Sequence, residues 1–278
     1  MRLPGVFLFA LATGLAQQPQ NPSPMVEHTR EHARLVEENP PGRREKLDLG
    51  TLFLPAGLAA RPPLLVFFHG GGWIPEVAAA RNRVAAIGVQ AGAGSASYAR
   101  LFDDPWRFLH LLQEAEAKAG LRFGRVMIGG WSAGCGALRQ VLKNPESYAR
   151  VQAVLCLDGI HADYVDGKPG QPEPALGPAD LAEWLQLGRD AVAGRKRFLV
   201  THSEVFPGTY ASTTETADYL LAQLGVPRRA VLKWGPMGLQ QLSFATRGRF
   251  LLLGYAGNSA PDHVDQLHSL PEFLRWLR

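Results

Sequence analysis

Continuous apolar runs recur along the chain and limit its fold more than any other feature. Leu64 to Phe68 is the first, and Val126 to Ile128, Val151 to Leu157, Arg197 to Thr201 and Arg249 to Tyr255 follow. A strand without polar alternation is covered on both faces, the condition of a parallel sheet held between helices. Helical patterns fall between the runs, at Pro105 to Ala119, Gly134 to Lys143 and Asp180 to Val192. Ser212-Thr213-Thr214-Glu215 is a capping box that opens a further helix ending at Leu224, and Val264 to Leu277 reads as a C-terminal helix. Two more strands are expected at Leu47 to Leu54 and Gly94 to Tyr98. The alternation predicts one α/β domain with a doubly wound, mainly parallel sheet and a small insertion after the strand ending at Leu157.

The 278 residues are 46% hydrophobic, enough for a large core, and the net charge of +4 is dispersed. The short basic clusters, such as Arg195-Lys196-Arg197, read as solvated surface, so no nucleic-acid partner is expected. Arg2, the apolar stretch Val6 to Ala12 and the small residues Gly14 and Ala16 have the architecture of a signal peptide over residues 1–16. A secreted or periplasmic protein with no stable membrane span after cleavage is therefore expected. Residues 17–44 read as a linker, with a short surface helix over Val26 to Glu38, and residues 45–278 as the folded domain. Cys135 and Cys156 are the two cysteines; two separate buried thiols are the favoured reading over a bond between them.

Val126 to Gly136 reads as strand, sharp turn and helix. Within it Gly130-Trp131-Ser132-Ala133-Gly134 fits G-x-S-x-G, in which glycines let the backbone turn tightly enough to expose a serine hydroxyl. Residue frequencies give roughly 0.1 chance matches to this pattern. His69-Gly70-Gly71-Gly72-Trp73, directly after the Leu64 to Phe68 run, is rarer, at roughly 0.01 by chance. Consecutive glycines free backbone N–H groups to face a developing negative charge.

Together these motifs resemble the α/β-hydrolases of the HGGG-bearing esterase and lipase type, over roughly Leu47 to Arg278. The resemblance implies Ser132 as nucleophile, the N–H groups of Ala133, Gly71 and Gly72 as oxyanion hole, and His69 as a brace for the glycine loop. His263, beyond the last strand and before the final helix, suits the general base. For the acid, Asp158 at the end of the Val151 to Leu157 strand is preferred over Glu204, which follows the next strand. Asp262 is expected to be a turn or capping residue, and Trp73, Trp131 and Tyr98 are candidates for the pocket wall. His161 and Tyr210 read as polar pocket lining, with no metal site. The expected activity is cofactor-independent cleavage of a small-molecule or polymer-linked carboxylic ester. A serine peptidase of the same fold and a non-catalytic ligand-binding protein are the alternatives.

Overall fold

The computed structural model describes residues 34–165 and 175–277. Strands β1 (Gly42–Lys46), β2 (Thr51–Pro55) and β3 (Leu64–Phe68) lead to helix α1 (Trp73–Asn82), β4 (Ala85–Val89), α2 (Ser95–Arg100) and α3 (Arg107–Ala119). Strand β5 (Val126–Trp131) then passes through a short 3-10 turn, Ser132–Gly134, into α4 (Cys135–Lys143), α5 (Pro145–Arg150) and β6 (Val151–Leu157). The rest comprises α6 (Pro178–Val192), β7 (Arg197–His202), α7 (Thr213–Leu224), β8 (Arg229–Trp234), β9 (Gln240–Arg247), β10 (Phe250–Tyr255), α8 (Ala260–His268) and α9 (Leu270–Leu277).

All the strands join one ten-stranded sheet in the order β1-β2-β4-β3-β5-β6-β7-β10-β9-β8. Pairing is parallel from β4 through β10 and antiparallel at both margins. Successive side chains of a strand point to opposite faces, so the apolar runs feed two cores. Leu64, Val66 and Phe68 enter one core with residues of α3, α4, α6 and α7. Leu65 and Phe67 enter the other, with residues of α1 and α9. This is the doubly wound, mainly parallel α/β architecture expected from the sequence.

Several elements differ from expectation. Leu47 to Gly50 is the turn of the β1-β2 hairpin, closed by Leu47 N–H donating to Gly50 O at 3.0 Å, with Gly50 at φ 89°. Ser95 to Tyr98 is helical, because Gly94 (φ 89°) starts α2 against α4, where a Cβ on Gly136 would lie 2.3 Å from Ser95 O. Helices α1 and α5 and strands β4, β8 and β9 had no clear sequence signal. β8 is largely exposed, and β9 buries Gln241, Ser243 and Ala245 while Leu242 and Phe244 lie on its less buried face. The C-terminal helix is two helices: Ser269 caps α8, and Pro271 lacks the N–H needed to continue its ladder. Of the expected helix at 26–38, residues 34–38 are irregular; the remainder, with residues 1–16, lies outside the described residues.

Cys135, which opens α4, is disulfide-bonded to Cys156 on β6, with Cα atoms 6.1 Å apart. The expectation of two separate thiols is corrected: β6 pairs with β5, and the tight turn after β5 returns the start of α4 over its neighbour. The bond closes a loop with a sequence separation of 21 residues. A loop of that size corresponds to about 3 kcal/mol of stabilisation in the chain-entropy treatment. Cys135→Ser is expected to lower stability by about that amount in urea denaturation, and unfolded wild-type protein should take up no maleimide until reduced.

Candidate active site

The turn after β5 is as tight as its sequence suggests. A Cβ on Gly134 would stand 2.1 Å from Phe68 O, and one on Gly130 would stand 2.8 Å from the Gly134 carbonyl carbon. Both glycines are therefore required by close backbone approach, between the turn's own limbs and against the end of β3. Ser132 between them has φ 50°, a left-handed conformation that costs a non-glycine residue about 1–3 kcal/mol. The strain presents its side chain at the wall of a cavity of about 780 Å³, together with His69, Ala133, Gly159, His161 and Tyr210. Among the described residues Ser132 Oγ has no hydrogen-bond partner.

The glycine loop leaves the end of β3 through consecutive left-handed residues, His69 (φ 74°), Gly70 (φ 96°) and Gly71 (φ 91°), and Gly72 caps α1. His69 is fixed at two points. Its N–H donates to Val89 O at 3.1 Å, and its Nδ1 lies 2.9 Å from the hydroxyl of Tyr98, which also accepts from Ala91 N–H. Burial, and to a lesser extent the nearby His263, lowers the His69 pKa.

His69 stacks on Trp131 with ring centroids 5.0 Å apart, and the other neighbour of Trp131 is His263 at 4.5 Å. Trp131 Nε1–H also donates to His263 O at 2.9 Å. Trp131 thus spaces two histidines and does not line the cavity. Trp73 does not line it either and packs edge-on against His268, while Tyr98 is fully buried in the core. Gly71 and Gly72 are also outside the lining of this cavity.

His263 lies in the first turn of α8 and not before a helix as expected, because the helix begins at Ala260 and not at Val264. Ser259 and Asp262 form the capping box of that helix, so Asp262 has the capping role anticipated for it. His263 Nδ1 lies 2.7 Å from Asp158 Oδ2. Asp158 follows β6 directly, has φ 46° and is 2% exposed. Its Oδ1 accepts from Ser203 N–H at 2.8 Å and Thr213 Oγ1 at 2.5 Å, and its Oδ2 also accepts from Ser203 Oγ at 2.6 Å. Burial alone would raise its pKa. The His263 imidazole and the Ser203 and Thr213 donors more than offset that and hold the carboxyl well below the usual range.

Glu204 does not share this cluster. Its side chain is exposed and its backbone N–H donates to Gly257 O at 2.8 Å. Ser203 and Thr213, the donors to Asp158, were missed in the sequence. Thr213 was legible only as part of a helix start, and nothing marked Ser203 apart from its place after an apolar run. Among the described residues no three His, Cys, Asp or Glu side chains are grouped closely enough to hold a metal ion.

No protein-family profile matches the chain, and no curated protein matches it. Solved structures similar to it include an esterase from the hyperthermophilic archaeon Pyrobaculum calidifontis, at 14% identity and a TM-score of 0.47, covering 85% of each chain. An acetyl xylan esterase from Aspergillus awamori is 12% identical with a TM-score of 0.45, over 79% of this chain and 93% of its own. A dienelactone hydrolase from Anabaena variabilis is 16% identical with a TM-score of 0.46, over 87% of this chain and 100% of its own. These likenesses concern overall architecture, and residue roles rest on the geometry above.

His161 offers a test of the site's electrostatics. Burial lowers its pKa from 6.5 to about 4, against an opposing pull from Asp158 and with a smaller lowering contribution from His263. Between those values the unfolded chain binds a proton that the folded chain refuses. Stability therefore falls as pH drops through that window and levels off below it. Urea midpoints measured at pH 7.5 and 5 should fall further for wild type than for His161→Gln; an equal fall in both would contradict the assignment.

Proposed function

We propose that the chain is an exported serine hydrolase that cleaves carboxylic esters through an acyl-enzyme on Ser132. The observation that carries this reading is the 2.7 Å contact of buried Asp158 with Nδ1 of His263, a ring that packs on Trp131, the residue directly before the strained Ser132. Ser132 Oγ attacks the ester carbonyl carbon as His263 Nε2 takes the hydroxyl proton. The electron pair of the carbonyl moves to oxygen. On collapse the C–O bond to the alcohol breaks and Nε2 returns the proton to the departing oxygen. Water repeats the sequence on the acyl-enzyme and frees the acid and Ser132.

Asp158 keeps Nδ1 protonated, so Nε2 is the basic nitrogen, and it stabilises the imidazolium once formed. The hydroxyl-to-imidazole hydrogen bond is expected to close with substrate bound, as such contacts tighten from the free state. The N–H group of Ala133, which lines the cavity, is assigned to the oxyanion together with those of Gly71 and Gly72 on the glycine loop beside that lining, each such donor being worth about 3 kcal/mol of barrier. Export rests on the sequence of residues 1–16, and the Cys135–Cys156 bond suits an oxidising compartment.

A fluorophosphonate probe should label wild type and fail to label Ser132→Ala, whereas folded wild-type protein that takes up no probe and hydrolyses no 4-nitrophenyl acetate is a binding protein instead. Asp158→Asn should lower kcat by about 10⁴-fold through the wrong imidazole tautomer, while Glu204→Gln stays near wild type. Near-wild-type turnover by Asp158→Asn would remove Asp158 from the acid's role. Gly159→Ala should cost much of the turnover although no triad residue is replaced, because the new Cβ would lie 2.5 Å from Ser132 O and 2.6 Å from Cys135 Sγ and so displace Ser132.

A further inference from the structure

The cavity beside Ser132 extends along α4. Gly136, Arg139, Gln140 and Lys143 all line it, and their spacing of three, four and seven residues from Gly136 places them on one helix face. From Gly136 to Lys143 the helix rises about 10 Å, so the cavity is a groove leading away from the nucleophile. A groove of that length has room for much more than an acetyl group.

Its chemistry decides what fits. Arg139 is held by Asp180 at 2.9 Å and Glu183 at 3.2 Å, so its charge is already balanced. Lys143, at the far end, makes no ion pair among the described residues. Two cations, Arg139 and Lys143, share the lining with two carboxylates, Asp163 and Asp180. Such a balanced wall gives no strong preference for a charged ligand of either sign. Apart from Trp184, which is 1% exposed, and the Tyr210 ring, the apolar lining comes mainly from alanines. A long alkyl chain would desolvate the Lys143 ammonium and the Asp163 carboxylate, which have no ion-pair partner among the described residues, at about 1–3 kcal/mol for each group left unsatisfied.

His161 adds a neutral hydrogen-bonding group near the nucleophile. Its Nδ1 is buried without a partner, and the ring meets Tyr210 edge-on at 5.3 Å. The groove's lining thus combines donors and acceptors with the small methyl surfaces of alanines. A neutral polyhydroxylated group satisfies both sets, offering hydroxyls to the polar side chains and C–H faces to the alanines and Tyr210.

We infer that the groove along α4 binds the neutral, sugar-like polyol portion of an ester, making this an esterase of hydroxylated rather than alkyl substrates. The inference rests on the hydrolase reading above and supplies its substrate class. Two matched pairs test it: glucosyl acetate against cyclohexyl acetate for the alcohol side, and the 4-nitrophenyl esters of gluconic against hexanoic acid for the acyl side. In at least one pair kcat/KM should favour the hydroxylated member by ten-fold or more. Gln140→Leu and Lys143→Met, checked for folding by thermal denaturation, should shrink that ratio several-fold.

Alkyl preference or parity in both pairs, with Ser132-dependent hydrolysis of 4-nitrophenyl acetate intact, overturns the substrate class alone. An undiminished ratio in both variants overturns the groove as its origin. No hydrolysis of any ester by folded protein overturns the hydrolase reading and the substrate class with it.

Discussion

A carboxylate removed from water is tolerated only where other groups replace its hydration, and Asp158 imposes that condition on much of the C-terminal half. Its oxygens take hydrogen bonds from Ser203 after β7, Thr213 at the start of α7 and His263 in α8. Those segments are remote in sequence and meet only because the parallel sheet brings the ends of β6, β7 and β10 to one edge. Chemistry in open α/β sheets collects at the carboxyl ends of strands for this reason. The same hydrogen bonds that make the burial tolerable also orient the imidazole, so folding and preorganisation of the site are one requirement.

A second constraint is the close approach of backbone at the serine turn. Gly134 sits over the last carbonyl of β3, and Gly159 lies beneath Ser132 and Cys135. The disulfide fastens the start of α4 to β6, two residues before Asp158. Ser132 and Asp158 are therefore positioned by adjacent, covalently joined elements. His263 arrives from the far end of the chain through its hydrogen bond and its packing against Trp131.

Central strands were legible because burial on both faces leaves uninterrupted apolar runs, and β6 has the expected bounds of Val151 and Leu157. Marginal strands were not, since β8 and β9 are exposed or carry small polar residues inward. At Ser95 to Tyr98 small and polar residues alternate over too few positions to separate strand from helix, and packing against Gly136 decided the matter. The serine turn and the glycine loop were legible as motifs. The environment that separates Asp158 from Glu204 was not, because it depends on a serine and a threonine remote from Asp158 in sequence, neither of which carries a signature of its own.

Helix α4 has two surfaces with different duties. Ala137, Leu138, Val141 and Leu142 face the core, while Arg139, Gln140 and Lys143 face the groove. Since the two sets interleave at helical spacing, each can change with little disturbance to the other. The element that follows the Ser132 turn can thus be resurfaced on its groove side while the packing behind it keeps Ser132 in place.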